Sequence, residues 1–444
     1  MKKILLIILT STMCFMFHVI ACSAFDLEET IQISSSLNPV GSGARALGMG
    51  GAFIAVADDA TAASWNPGGL MQLETPEISI VGSCFHRIED ISFGVHPEAD
   101  GDQSVDLTGL NYFSAAYPFA LFGYNMIVSL NYQHLYDLTR QWNFTINNKN
   151  AFDTALIGSE VRQEGGLSAL GLAYSIQITP DISAGITFNI WDDDFTKNKW
   201  ENKVFQWGGG SDRGDQFIFE YRDINEYSLD SGFNLNLGVM WNINSSLSLG
   251  AVLKTPFEAD LSHEQNSFRN LQYPNLPGFG QSDTNKYSED MTLSMPMSYG
   301  IGAGFRFSDN LTVSFDIYRT EWGDFELEDS KGKKTSPISG RPVEESNIDA
   351  THQVRIGAEY LFIKPKYVIP LRCGMFYDPS PAESSPDDFF GFSLGSGISY
   401  KSIIFDTAYQ YRFADNVGSS ILESYDFSQD VSEHTIYISL IYHF

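Results

Sequence analysis

Gly391-Phe392-Ser393-Leu394-Gly395 has the spacing of a nucleophile elbow, in which a serine rides a sharp turn between strand and helix. Here the five residues sit inside a run that alternates apolar and polar side chains, so Ser393 reads as one position on the polar face of a strand. The eight histidines are dispersed, with no His-Glu-x-x-His and no paired Cys-x-x-Cys, which gives metal hydrolysis no ligand set. Gly41 to Gly51 is glycine-rich but lacks the Lys-Ser/Thr of a phosphate-binding loop. No enzyme, cofactor or metal is therefore expected. Acids cluster at Asp192-Asp193-Asp194 and along Glu321, Asp324, Glu326, Glu328 and Asp329. Hard divalent cations want such groups, although a solvated acidic surface is the more ordinary reading.

The cations Lys254, Arg306, Arg355, Arg372 and Arg412 each fall on the polar side of an alternating run, as do Asp316, Glu359 and Asp406. They can pair with one another or hold an anionic ligand group by charge-assisted hydrogen bonds. Pairing is the commoner role. As ligand contacts Arg355 and Arg412 are preferred, with Lys254 and Arg372 behind them.

These positions need a scaffold, and the alternation supplies it. From Thr75-Pro76 to the end, fourteen runs show the period-two pattern of strands with one wet face. They span about 77–90, 108–119, 124–138, 166–178, 182–194, 228–243, 247–257, 292–307, 311–325, 351–363, 367–377, 389–400, 403–413 and 434–444. In 293–307 one face reads Leu293, Met295, Met297, Tyr299, Ile301, Ala303, Phe305 and Phe307; the other is serine, proline, glycine and Arg306. Tight links follow the even-numbered runs, such as Ala120 to Gly123 and Lys401-Ser402. Long polar links follow the odd ones, such as Thr196 to Glu226 and Ala259 to Glu289. Short turns on one side and long loops on the other mark an outer-membrane barrel, with apolar faces on lipid and small polar faces on the lumen. The fold expected is all-β: a 14-stranded antiparallel transmembrane β-barrel over 77–444, with an N-terminal hatch inside the lumen over 25–76.

Composition agrees. Aromatics make up 14% of the 444 residues and charged residues 18%; the mean hydropathy of -0.13 excludes a helical membrane protein. A net charge of -28 excludes nucleic acid as a partner. Residues 1–24 read as an export signal, with Lys2 and Lys3, an apolar middle and Cys22-Ser23-Ala24 at the cut. Alternatively Val19-Ile20-Ala21-Cys22 is a lipoprotein box with Cys22 acylated. Cys84 and Cys373 fall on separate strands and are expected as free thiols. Ile436, Ile438, Leu440, Tyr442 and Phe444 alternate to the last residue, resembling the signal read by the outer-membrane assembly machinery. The location expected is the bacterial outer membrane, with lipid and lipopolysaccharide as surroundings.

The stretch from Gly41 to Leu70 is too small-residued to build a core and suits packing inside something else. It contains G-A-x-A-x-G-x-G-x-A over Gly43 to Ala52, then Ala57-Asp58-Asp59-Ala60, then Asn66-Pro67-Gly68. This resembles the hatch of the FadL-type long-chain fatty-acid transporters of the outer membrane, with Gly68 where that family usually has alanine. The resemblance implies passive uptake of fatty acids or other hydrophobic small molecules. It implies a gate built on Gly48, Gly50, Asp58, Asp59, Asn66, Pro67 and Gly68, an apolar landing groove among the outer loops, and lateral exit through a wall gap. Wall cations pairing with Asp58 and Asp59 would tether the plug. Trp207 and Phe217 are loop aromatics suited to the groove. No glycine or proline marks a gap between Tyr124 and Tyr136. A rival is a barrel resembling the PorV secretion component, which shares the small-residue hatch but serves as a scaffold for secreted proteins.

Overall fold

The computed structural model describes residues 41–149 and 153–444; the expected export signal and Cys22 lie outside the described residues. The strands are β1 (Glu77–Phe93), β2 (Gly101–Leu121), β3 (Tyr124–Asp137), β4 (Arg140–Lys149), β5 (Asp153–Gln177), β6 (Ile182–Trp191), β7 (Lys199–Asp212), β8 (Asp215–Asn244), β9 (Leu247–Lys254) and β10 (Phe257–Gln272). They continue with β11 (Gln281–Met295), β12 (Ser298–Arg306), β13 (Leu311–Thr320), β14 (Glu326–Glu328), β15 (Lys334–Thr335), β16 (Thr351–Ile363), β17 (Val368–Tyr377), β18 (Phe390–Tyr400), β19 (Ile403–Val417) and β20 (Phe427–His443).

Fourteen of these segments close an antiparallel barrel. Around the wall they are β1, β2, β3, the second half of β5, β6, the second half of β8, β9, β12, β13 and β16 to β20, and β20 returns to β1 from His443↔Glu77 to Phe427↔Phe93. Each expected run overlaps one of these segments, although 292–307 also takes in the end of β11 and 182–194 and 311–325 run past the ends of β6 and β13. Closure matters because an open edge in hydrocarbon would leave backbone groups without partners. On the outside Ile436, Ile438, Leu440, Tyr442 and Phe444 are exposed, as are Phe233, Val239 and Trp241. Inside, Asp406, Ala408 and Arg412 are buried. Cys84 and Cys373 are unpaired and exposed on the outer face. The β2–β3 hairpin turns on Phe122 and Gly123, both at positive φ (54° and 83°), as a two-residue turn matching strand twist requires.

Three expectations need correction. The long links at 196–226 and 259–289 are not irregular loops: β7, β10, β11 and the first halves of β5 and β8 continue the wall outward as one sheet joined to β4. They alternate too weakly to read as strands alone, and pairing with neighbours decides them. Leu293 and Met295 are not on lipid. The chain breaks at Pro296-Met297 between β11 and β12, and both side chains are buried with Trp191, Trp322 and Leu327 above the membrane-facing wall. Arg306 is exposed at the short-turn end rather than in the lumen.

Candidate ligand cavity

The lumen is filled by residues 41–73, built from α1 (Ala44–Gly48), α2 (Ala62–Trp65) and a 3-10 turn (Pro67–Gln72). Asn66 sits before the proline that opens that turn, and its side-chain oxygen accepts from Gly68 N, a local cap. Almost every hatch residue is buried, yet nearly half are alanine or glycine. The contact is therefore made by backbone, and the wall answers with polar side chains. Asp316 Oδ2 accepts from Phe53 N (2.6 Å) and Ile54 N (2.8 Å). Ser314 Oγ donates to Ala52 O (2.5 Å), Ser248 Oγ to Ala55 O (2.8 Å), Thr187 Oγ1 to Ala63 O (3.0 Å) and Ser183 Oγ to Gly68 O (2.7 Å). Asn66 Nδ2 donates to Ile54 O within the hatch and to Val239 O in the wall. Ser393 accepts from Gly50 N (2.8 Å) and donates to Gly48 O (3.1 Å). The serine of the elbow-like pentapeptide is thus a hatch anchor in mid-strand. Wall glycines make the room: a Cβ on Gly374 would lie 2.2 Å from Gly50 N, and one on Gly357 2.2 Å from Met49 O.

Among the described residues, two clusters of charge meet the hatch or the space beside it. In the first, Arg45 of the hatch pairs with Asp58, with Glu359 at 3.0 Å and with Asp59 at 3.9 Å; Arg372 then binds Glu359 and Asp406, each at 2.6 Å. Asp58 and Asp59 are therefore paired with the hatch's own arginine rather than with a wall cation, and the tie to the wall runs from Arg45 to Glu359. In the second, Asp378 Oδ2 lies 3.2 Å from Arg355 and 3.3 Å from Arg412, and Arg412 also meets Glu433 at 3.0 Å. Arg355 further donates to Gly50 O at 3.0 Å.

Beside the hatch lies a cavity of about 910 Å³, floored by Leu47, Gly51 and Trp65 and reached by Arg355 and Arg412. The other expected contacts lie elsewhere. Lys254 borders a separate hollow of about 50 Å³ with Tyr318 and Trp322, and Arg372 is held in the first charge cluster. Trp207 is half-exposed over a depression of about 630 Å³ on the outward sheet, with Phe205, Ile218 and Arg222. Phe217 turns to the opposite face, 6.3 Å from Tyr273.

The wall parts next to the cavity. β2 pairs with β3 only from Leu121↔Tyr124 up to Tyr112↔Gln133. Above that, His134 and Tyr136 pair with β5 alone, with a register shift between them at Leu135. Asn111 falls in a matching shift of β2 against β1, and its Nδ2 donates to His134 O at 3.4 Å. Higher up, Gln103 and the Asn143 backbone exchange bonds of 3.0 and 2.8 Å, closing the opening from above. The cavity lining runs through Leu107, Thr108, Gly109 and Leu110, and Leu110 is exposed on the outer face. Leu110 is opposite Gly82, which is opposite lipid-facing Ile438, so the opening stands at hydrocarbon level. Sequence gave no sign of it: the parting is made by two bulges, not by a breaker residue.

The sequence pattern of the outer membrane protein transport family (OMPP1/FadL/TodX) matches residues 32–441. The chain belongs to this family. Its location is accordingly the bacterial outer membrane. Among solved structures, a Pseudomonas aeruginosa FadL homologue shares 14% identity, with 91% of this chain and 98% of that one covered and a TM-score of 0.59. The toluene transporter TbuX of Ralstonia pickettii shares 15% identity over 92% and 99%, TM-score 0.51. The Pseudomonas putida toluene transporter TodX shares 12% over 93% and 97%, TM-score 0.53. At such identities the likeness of this FadL/TodX-family barrel to them is one of fold. No curated protein matches the sequence.

Proposed function

We propose that this protein carries hydrophobic small molecules across the outer membrane, by way of the luminal cavity and the opening between β2 and β3. The carrying observation is the lining itself, which passes from Trp65 in the lumen to Leu110 on the lipid face without leaving one cavity. Burial of apolar surface drives such a molecule inward, at about 25 cal/mol per Å², and hydrocarbon receives it at the far end. The toluene transporters of the same fold support this class of cargo. Within it, long-chain fatty acids are less favoured than uncharged molecules. The cavity's four cations, Arg355, Arg412, Lys197 and Lys199, are matched by Asp137, Asp193, Asp378 and Glu433, and both arginines are already ion-paired.

In this reading Gly48, Gly50, Asp58, Asp59, Asn66, Pro67 and Gly68 act as the gate by holding or releasing the hatch against the wall. Trp207 serves as a landing site outside, and Phe217 as packing behind it. Lipid and lipopolysaccharide surround the barrel, and the terminal strand ending at Phe444 is the handle for the assembly machinery. Membership of a transport family favours this over a secretion scaffold.

The test is entry of labelled toluene and labelled oleate into cells with an intact lipopolysaccharide layer, whose gene is deleted and then restored. Restoring the wild type should raise toluene entry about tenfold, and Leu107→Trp with Leu110→Trp should abolish that gain by filling the opening. Entry that does not depend on the gene overturns the transport reading. Entry that survives both tryptophans overturns the lateral route.

A further inference from the structure

The histidines are scattered along the chain, yet closure of the barrel brings two of them together. β1 and β20 form the seam between the first and last strands, and His86 stands directly opposite His434 across it. Opposite residues of an antiparallel pair share one face of the sheet. Here that face is the outer one, because the adjoining Arg87 and Glu433 are buried inside. The two imidazole rings lie 6.0 Å apart, centre to centre, with their planes 32° from parallel. Asp106 of β2 is opposite His86 on its other side, so three strands set Asp106, His86 and His434 in one row. That row is about 13 Å up the strand from Gly82. There exposed Asp106 and the hydroxyls of Tyr409 and Tyr411 succeed the aliphatic side chains of the lipid-facing wall.

Each ring is held at Nδ1. Asp106 Oδ1 accepts from His86 Nδ1 at 2.8 Å. An ionised carboxylate only accepts, so in the neutral ring the proton sits on Nδ1 and Nε2 keeps a lone pair. His434 Nδ1 lies 2.8 Å from the Tyr409 hydroxyl; when Nδ1–H donates to it, Nε2 of His434 keeps a lone pair too. An oxygen partner on one ring nitrogen, with the other nitrogen open, is the arrangement that orients metal-bound histidines. The spacing fits as well. With Nε2–metal bonds of about 2.0–2.1 Å and a ring radius of about 1.2 Å, one ion joins rings up to about 6.6 Å apart. Both histidines are part-exposed, His86 over 40% of its side chain. Among the described residues no three of His, Cys, Asp and Glu form a ready cage, so this is a two-histidine site whose remaining positions are open to water.

We propose that His86 and His434 bind a divalent transition-metal ion on the outer face of the barrel seam. Nε2 of each is the ligand, and Asp106 and Tyr409 are the groups that orient the rings. Imidazole suits Cu²⁺, Ni²⁺ and Zn²⁺, of which Cu²⁺ binds most tightly, whereas Mg²⁺ and Ca²⁺ want oxygen. The ion ties β1 to β20, and a ligand held by the folded barrel alone stabilises it against unfolding. The site stands independently of the transport reading.

Calorimetric titration of the full-length barrel in detergent, purified without a histidine tag, tests this with CuCl2, ZnCl2 and MgCl2. The wild type should take up one equivalent of Cu²⁺, bind Zn²⁺ more weakly and ignore Mg²⁺. His86→Gln and His434→Gln should each weaken Cu²⁺ binding by at least about tenfold, and Asp106→Ala or Tyr409→Phe by about tenfold. Electron spin resonance of the Cu²⁺-loaded protein should show two nitrogen ligands in the wild type and one in either histidine variant, a signature that lost packing alone does not produce. His352→Gln should change nothing, since its Nε2 is already bonded to Arg319 at 2.9 Å. Cu²⁺ should also raise the unfolding temperature of the wild type and of neither histidine variant. A wild type that binds no Cu²⁺ saturably, or shows a single nitrogen, overturns the inference. So does Cu²⁺ bound with full affinity after both histidines are replaced, which places the ion elsewhere.

Discussion

The hatch meets two unlike walls. Against β13 and β16 to β18 it lies on glycine and is tied by Asp316, Ser314, Ser393 and Arg355, with no side-chain layer between backbones. Toward the upper parts of β1 to β3 it faces Leu107, Asn111, Gln133 and His134 across the cavity, beside strands that have parted. Tightness comes from the absence of side chains and the presence of small polar ones; space comes from bulges. The first side holds the plug, and the second is the one the proposed route uses.

The largest effect should follow from breaking the tie on the held side. Arg45→Ala removes the cation shared by Asp58, Asp59 and Glu359, leaving the two aspartates without one and Glu359 to Arg372 alone. Removing one partner of a buried network costs about 3–5 kcal/mol, and the low end applies because the Arg45 side chain keeps 20% exposure. Stability of the folded barrel on heating in detergent and bilayer conductance should both report it. Replacing Asp58 and Asp59 together by alanine should do less, because Glu359 still holds Arg45. An equal loss from the double variant would place the tether on the acids instead.

Next is Gly374→Ala. The added methyl meets Gly50 N at 2.2 Å, backbone against backbone, and overpacking of this kind costs about 1–3 kcal/mol. Conductance and sensitivity to large antibiotics should rise. Gly109→Ala on the open side meets nothing within 4 Å and should leave both unchanged. If the two alanines behave alike, the two walls are not different in the way described.

The smallest effect lies outside both walls, in the outward sheet. His263 is buried between Tyr227, stacked at 4.5 Å, and Asn225, bonded at 3.0 Å. Burial lowers its pKa, against the opposing pull of Glu289. A histidine whose folded value is depressed stabilises the fold fully above its unfolded value near 6.5, and that stability is lost as pH falls through the folded value. The protection factors of amides in β10 and β11, corrected for the intrinsic slowing of exchange in acid, should therefore fall as pH drops below about 6.5. His263→Gln should flatten the dependence.

Strand number, closure and the inward face were legible because lipid demands an unbroken apolar alternation, and Phe405 opposite Asp406 or Ile438 beside Ser439 obeys it. The hatch was legible because so few side chains can fill a lumen already narrowed by wall residues. The outward sheet was not, since water on one side relaxes the alternation in β7 and β10. Nor was Leu293, whose surroundings change where Pro296 ends one strand pairing and begins another.

The order of residues alone determined that Arg355 and Arg412 point inward and that Ser393 lies in mid-strand, because period-two geometry leaves a side chain only two directions. It could not decide what they meet. Asp378 reaches both arginines, and Gly50 reaches Ser393, from places far along the chain. Such meetings, like the parting of β2 from β3, depend on how strands register around a closed ring, and register is a property of pairs rather than of any one segment.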